Sequence, residues 1–306
     1  MNNKKCFLIV VAGPTAVGKT GIAIKLAQHF NTEILSADAR QFYREMSIGT
    51  AKPSEKELAA VPHHFINSLS IKDEYNVGRF ETDALNSLNK LFEKHEVIVM
   101  VGGSGLFIRA VCEGLDELPG ADLAIRNELE DLLRLEGIET LQKLLKQKDP
   151  EYYSVIDTDN PRRVLRALEV CISTGKPFSS FLSKQSKQRN FTSIKIGLNI
   201  EREKLYAQIN HRVDEMIKQG LEEEVKNLFP FRDLNALQTV GYTELFEYIE
   251  GKITLPEAIE QIKQHTRNYA KRQLTWFRKE KDMEWFEPEE WEKVVKLVEA
   301  RRSKIV

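Results

Sequence analysis

The sequence predicts an α/β fold: a parallel sheet flanked by helices, interrupted by a mostly α-helical insertion and completed by a helical C-terminal part. Three observations predict it. In the first third of the chain, short apolar runs alternate with amphipathic segments of helical period, the pattern of strand-helix-strand units around a parallel sheet. A complete GxxxxGK[ST] string, Gly13 to Thr20, stands between the first such run and the first helical segment, as in the phosphate-loop NTPases. From Leu118 to about Asn190 the sequence turns to charged, leucine-rich helical segments with no convincing strand, and a β-type run returns at Ser193. The predicted layout is a core of residues 1–117 and 191–306 around an insertion of 118–190.

Each element has its own reason. Phe7 to Ala12 (FLIVVA) has no polar position, so it reads as a strand buried on both faces. Gly18 to about Phe30 reads as a helix with Ile22, Ile24, Leu26, Ala27 and Phe30 as its apolar positions. Glu33 to Ser36 is a short strand, and a loop containing Pro53 and Pro62 follows. A helix from about Val77 to Lys94 feeds Val97 to Val101, which is apolar throughout and therefore a central parallel strand. Within the insertion, Ile125 to Leu133 shows the helical pattern. Ser193 to Ile200 returns the chain to the sheet. The remainder is helical except near Met283 to Phe286, and its long helix, about Pro256 to Lys281, is opened by Thr254 and Glu257 in capping-box spacing.

Composition narrows the class. The 306 residues carry 45 Lys+Arg against 46 Asp+Glu, a net charge of −1, so a polyanion must be met by a local patch and not by the whole molecule. With 42% hydrophobic and 30% charged residues, collagen-like, disordered and disulfide-scaffold classes are excluded. Cys6, Cys112 and Cys171 lie far apart and form no CxxC pair, which fits a reducing cytoplasm. Met1-Asn2-Asn3-Lys4-Lys5 leads into an apolar run too brief for a signal segment or a membrane span. A cytoplasmic monomer with no membrane association is expected.

Gly13-Pro14-Thr15-Ala16-Val17-Gly18-Lys19-Thr20 carries the strongest chemical signal. Glycines let backbone N–H groups curl around phosphate oxygens, the following helix adds its positive end, Lys19 neutralises charge and Thr20 can hold Mg2+. A phosphate-loop NTPase also places an acid at the end of a buried strand, but Val97 to Val101 runs into Gly102-Gly103-Ser104-Gly105. Asp38 is the acid that ends a predicted strand near the loop. It serves either as a base or magnesium partner, or as a loop acid or helix N-cap.

These residues carry a resemblance. Gly13 to Thr20, Ser36 to Tyr43, Ile48 to Pro53, Pro62-His63-His64, Val101 to Phe107, Pro161 to Val170, Gln238 to Tyr242 and Arg267 to Phe277 are similar to the corresponding stretches of the bacterial tRNA dimethylallyltransferases, and so span nearly the whole chain. That family moves a dimethylallyl group from dimethylallyl diphosphate to N6 of the adenosine just 3′ of the anticodon, in transfer RNAs that read codons beginning with U. The resemblance implies that the Gly13–Thr20 loop holds the leaving diphosphate with Lys19 and with Mg2+ on Thr20, that Asp38 accepts the N6 proton, and that Ser104, at a position usually held by Thr, sits near the reacting adenine. It further implies RNA or diphosphate contacts for Asp38, Ala39, Arg40, Gln41, Ser104, Arg126, Arg162, Arg163, Val164, Leu165 and Arg166, and for Gln238, Thr239, Val240, Gly241, Tyr242 and Thr243. Ala39 stands where many members have Ser, and Gln238 where some have Arg, which removes one charge from that segment. A channel fold open to RNA at one mouth and to the diphosphate at the other is implied, with the insertion clamping the anticodon stem-loop.

Lys263, Arg267 and Lys271 recur every four residues in the long helix, joined by Arg272, Arg278, Lys279 and Lys281, a basic stripe suited to RNA. Tyr269, Trp276 and Phe277 interleave with it; Trp276 and Phe277 read as core. Adjacent His63 and His64 read as a loop feature, because a zinc site needs three or four convergent ligands. Two rival enzymes share the loop: a small-molecule kinase, whose fold is complete in about 150–200 residues, and a prenyltransferase acting on free AMP or ADP. Neither gives the basic stripe and the insertion a role.

Overall fold

The computed structural model describes residues 5–183 and 186–305; Met1 to Lys4, read above as leading into the first strand, lie outside the described residues. The chain forms two compact units, one of residues 1–113 and 188–306 and the other of 114–187.

In the larger unit, β1 (Phe7–Ala12) is followed by α1 (Lys19–His29), β2 (Ile34–Ser36), α2 (Glu55–Ala60), β3 (His63–His64), α3 (Val77–Lys94), β4 (Val97–Gly102) and α4 (Gly105–Glu113). The smaller unit holds α5 (Leu123–Glu136), α6 (Ile138–Lys148), α7 (Pro150–Tyr153) and α8 (Pro161–Thr174). The larger unit resumes with β5 (Thr192–Leu198), α9 (Arg202–Lys218), α10 (Leu221–Leu228), α11 (Thr243–Ile249), α12 (Leu255–Phe277), β6 (Glu284–Phe286) and α13 (Trp291–Ile305). Among the described residues no helix is long and apolar enough to cross a membrane.

The strands form one sheet in the order β3-β2-β4-β1-β5-β6, parallel at every pairing. Every residue of β1 and β4 is buried, which explains their unbroken apolar runs. Alternation along the strands assigns the two faces. Phe7, Ile9, Val11, Val97, Val99 and Val101 pack with Ile22 and Leu26 of α1, Leu205 and Ile209 of α9 and Val294 of α13. Leu8, Val10, Ile98 and Met100 pack with Phe80, Leu88, Ile108 and Val111 of α3 and α4, and with Phe277. The expectation that Phe277 belongs to the core holds: it is 1% exposed, and Trp276 packs beside it half-buried.

The loop expected around Pro53 and Pro62 contains two elements. Ser54 accepts the Glu57 N–H while the Glu57 carboxylate accepts the Ser54 N–H, a capping box that opens α2. His63 and His64 are an edge strand on β2 and not a loop feature, with Ile34 opposite His63.

The helical unit has its own core of Leu129, Leu141, Leu145, Val164, Leu165, Leu168 and Phe178. Its organising charge is Glu169, 1% exposed, whose carboxylate accepts from the Asp122 N–H at 2.9 Å and from Arg166 at 2.9 Å, with Arg126 at 3.5 Å.

Candidate active site

A parallel sheet concentrates loop backbone at the carboxyl ends of its strands, where ligands bind in open α/β sheets. Three such loops meet here: Gly13 to Gly18 after β1, Ala37 and Asp38 after β2, and Gly103 and Ser104 after β4. Beside them lies a cavity of about 500 Å³ with Thr15, Lys19, Thr20, Asp38, Lys52, Gly102, Arg212, Tyr269 and Gln273 on its walls. A second cavity, about 580 Å³, opens on a different face of α12, lined by Lys271, Leu274 and Arg278 among others. Neither the glycine-rich loop nor Asp38 reaches it, and both line the first, so the chemistry is assigned to the first.

The glycine-rich loop turns through Ala16 (φ 67°) and Gly18 (φ 92°), both left-handed, before α1 begins at Lys19. A helix N-terminus beside turned backbone N–H groups is an anion site. Lys19 Nζ donates to the Pro14 carbonyl at 2.6 Å. Burial pushes its pKa down to about 8; Asp38 opposes that shift and Arg212 adds to it. Thr20 lines the cavity with no hydrogen-bond partner for its side chain among the described residues.

Gln273 of α12 fastens two of the loops together. Its Oε1 accepts from the Thr15 N–H at 2.8 Å, and its Nε2 donates to the Gly103 carbonyl at 2.9 Å. A Cβ on Gly103 would lie 2.2 Å from that Nε2, so the approach requires glycine.

Asp38 Oδ1 accepts the Arg40 N–H at 3.0 Å, a turn of the kind its loop-acid reading implied. The side chain lines the cavity all the same, and Oδ2 has no protein partner among the described residues. Ser104 Oγ accepts the Ala39 N–H at 3.2 Å and so fixes the loop behind Asp38. Tyr269 is 36% exposed as a residue, yet its hydroxyl is buried toward Asp38 and Ser104, and that burial with the Asp38 charge raises its pKa to about 12.

Arg212 is the site residue that local sequence reading misses. It projects from α9 into the cavity, burial lowers its pKa with Glu57 opposing, and no described residue bonds its guanidinium. An unpaired guanidinium beside Lys19 makes this end of the cavity cationic.

Other expected contacts fall differently. Arg40 donates to the Asn235 and Gln238 carbonyls, and Gln41 to those of Thr50 and Ala51, so both side chains hold neighbouring backbone. Val164 and Leu165 fill the core of the helical unit at 0% and 5% exposure, so their side chains face inward. Gly241 and Tyr242 are buried too, with the Tyr242 hydroxyl donating to Glu224. Arg126 and Arg166 are occupied by Glu169, whereas Arg162 and Arg163 are exposed. Gln238 is exposed, and Thr239, Val240 and Thr243 are half-buried. In the basic stripe, Lys263 pairs with Asp214 and Glu260, Arg267 donates to Asn210 and Arg272 lies over the Tyr269 ring, while Lys271, Arg278, Lys279 and Lys281 are exposed. His63 Nδ1 lies 2.7 Å from the Val61 carbonyl and His64 Nε2 2.7 Å from Glu33. Among the described residues no group of three or more His, Cys, Asp or Glu could hold a metal.

A parallel α/β core with a glycine-rich loop, a carboxylate oxygen without a partner among the described residues and an unbonded guanidinium on one cavity has the layout of an enzyme. The sequence profile of the IPP transferase family matches residues 41–280, and the chain belongs to that family. A tRNA dimethylallyltransferase of Christiangramia forsetii is 57% identical over 93% of this chain and 94% of its own. The crystal structure of the full-length tRNA isopentenylpyrophosphate transferase of Bacillus halodurans superposes with a TM-score of 0.72 at 36% identity, covering 98% of this chain and 99% of that one. A eukaryotic dimethylallyltransferase, solved acting on tRNA, gives 0.75 at 29% identity over 89% of this chain and 70% of its own.

Proposed function

We propose that this enzyme transfers the dimethylallyl group of dimethylallyl diphosphate to N6 of the adenosine immediately 3′ of the anticodon, in transfer RNAs reading codons that begin with U. The observation that carries the reading is the shared cavity: a carboxylate oxygen free to accept a proton, Asp38 Oδ2, lies on the same walls as Lys19, Arg212 and the glycine-rich loop.

In the step, adenine N6 bonds to the allylic C1, the C1–O bond breaks, diphosphate leaves with the bonding pair, and the N6 proton passes to Asp38. The lone pair of N6 is delocalised into the purine, so a placed base contributes about 10²- to 10⁴-fold. Negative charge grows on the diphosphate as the bond breaks, and Lys19, Arg212 and the loop N–H groups are fixed where it appears. Mg2+ fits this site through Thr20, whose side chain is unpartnered; magnesium takes few protein ligands when substrate phosphate oxygens complete its shell, so an acid after β4 is not required. When bound, it would add Lewis-acid stabilisation of the leaving group. Ser104 keeps the Asp38 loop in place through Ala39. The exposed Arg162 and Arg163 support tRNA binding by the insertion, and the working unit is taken as a cytoplasmic monomer.

The test is incubation with Mg2+, dimethylallyl diphosphate and unmodified transfer RNA, followed by nucleoside mass analysis. N6-(dimethylallyl)adenosine is expected, and it should be lost in Asp38→Ala while diphosphate binding persists. Prenylation of AMP with no product on RNA would overturn the RNA reading.

A further inference from the structure

Residues 47–53 contribute Ile48, Thr50, Ala51, Lys52 and Pro53 to the cavity wall, yet they form neither strand nor helix. Gln41 holds the carbonyls of Thr50 and Ala51, Lys52 Nζ donates to the Tyr43 carbonyl and Asn67 Oδ1, and one carboxylate holds the first three residues. The N–H groups of Ser47 and Ile48 donate to Glu224 Oε2 at 3.0 and 2.8 Å, and that of Gly49 donates to Oε1 at 3.0 Å. The Tyr242 hydroxyl donates to the same Oε1 at 2.6 Å. Three consecutive N–H groups closing on one anion form a nest, here filled by the protein's own side chain. Gly49 lies flat against the Tyr242 ring, where a Cβ would fall 2.5 Å from a ring carbon. The loop continues into Ser54 and Glu57 of the α2 capping box, and Glu57 is the negative charge facing Arg212.

We propose that Glu224 is a positioning residue for the transfer reaction: it holds the 47–53 loop so that Lys52, and Arg212 with the charge of Glu57 facing it, close the diphosphate end of the cavity. The inference rests on the function proposed above. Neither Glu224 nor Tyr242 lines the cavity, so both act through the loop. Lys52 provides a signature that a merely structural role lacks. Burial lowers its pKa to about 8, and the charges of Glu224 and Glu45 oppose that shift. Neutralising Glu224 therefore lowers the Lys52 pKa further, and the alkaline loss of prenyl diphosphate affinity moves to lower pH.

Steady-state kinetics on the full chain, with Glu224→Gln, Tyr242→Phe and Gly49→Ala, test this. The KM for dimethylallyl diphosphate should rise about tenfold in Glu224→Gln, with kcat and the KM for tRNA nearly unchanged and the alkaline limb shifted acidward. Tyr242→Phe, the mildest change, removes one of four donors and should show a smaller rise. Gly49→Ala should resemble Glu224→Gln, and the double variant should be no worse than the worse single one, because both release the same loop. An unchanged KM in folded variants, or equal losses for both substrates with no pH shift, would overturn the proposal. Calorimetry with inorganic pyrophosphate separates the failures. If wild type does not bind it, the reading of the site falls; if wild type and all three variants bind it equally, only the role of Glu224 falls.

Discussion

Affinity for the diphosphate should fall steeply between pH 7 and pH 9, because the lysine meant to meet it titrates there. Lys19 is an ammonium with an ordinary pKa of 10.5 that burial brings down to about 8. Bound diphosphate supplies the missing counter-charge and raises that pKa, so binding is strongest where Lys19 is already charged, below about 8, and weakens as pH rises through 8 toward the bound-state value. If only the charged form binds, the dissociation constant exceeds its low-pH limit by about 1.1-fold at pH 7 and about 11-fold at pH 9, a span of ~10-fold or ~1.4 kcal/mol. Titration calorimetry with a non-hydrolysable prenyl diphosphonate across this range measures the slope. Lys52 also titrates near 8, so the decisive control is Lys19→Arg, which keeps a charge at every pH tested and should retain only the Lys52 share. A wild-type profile that coincides with Lys19→Arg would refute the reasoning, since Lys19 would then not meet the ligand as a titrating cation.

Replacing Asp38 by Asn should lower kcat about 10²- to 10⁴-fold with the KM for the prenyl donor within a few-fold, measured near pH 6.5 because loss of the Asp38 charge also lowers the Lys19 pKa. Gly103→Ala places a Cβ 2.2 Å from Gln273 Nε2 and should cost about 1–3 kcal/mol of stability by breaking the bond from Gln273 to the Gly103 carbonyl, read as a lower thermal midpoint together with a raised KM for the donor. Arg162→Ala and Arg163→Ala should weaken tRNA binding and lower its salt slope by about 1 each, leaving the thermal midpoint unchanged. Val164→Ala, between them and the core, should do the reverse, costing about 1–3 kcal/mol of stability with the salt slope intact.

How much was readable in advance depended on whether each signal was local. β1 and β4 were legible because a strand buried on both faces has no polar position to interrupt it, and α3 was legible over its whole length, Val77 to Lys94. β3 was not: two residues, His63 and His64, carry no periodicity, and pairing with Ile34 and Leu35 alone makes them a strand. The glycine-rich loop and Asp38 were legible because turn chemistry is written into consecutive residues. The inward side chains of Val164, Leu165 and Tyr242 were not legible, for the opposite reason. A segment that resembles an RNA-facing one still has an inward side, and only the packed helix shows which residues take it.

Arg212 and Gln273 show that some non-local positions do leave a local trace. On α9, Leu205, Ile209 and Val213 are buried four residues apart, and Arg212 stands three after Ile209 and seven after Leu205, on the edge of that apolar stripe. On α12, Ala270, Gln273 and Phe277 follow the same three-and-seven spacing, and Gln273 is 6% exposed. A charged or amide side chain on the buried stripe of a helix costs free energy unless it finds a partner, so its presence signals a partner the helix itself does not contain. For Gln273 that partner is the backbone of two loops, Thr15 and Gly103, and the bonds are made within the protein. For Arg212 the protein supplies only the more distant charge of Glu57 and leaves the guanidinium donors open to the cavity. The two cases separate by what completes them: an inward polar group satisfied by the fold holds the site together, and one that no described residue satisfies is the group the proposed diphosphate would complete.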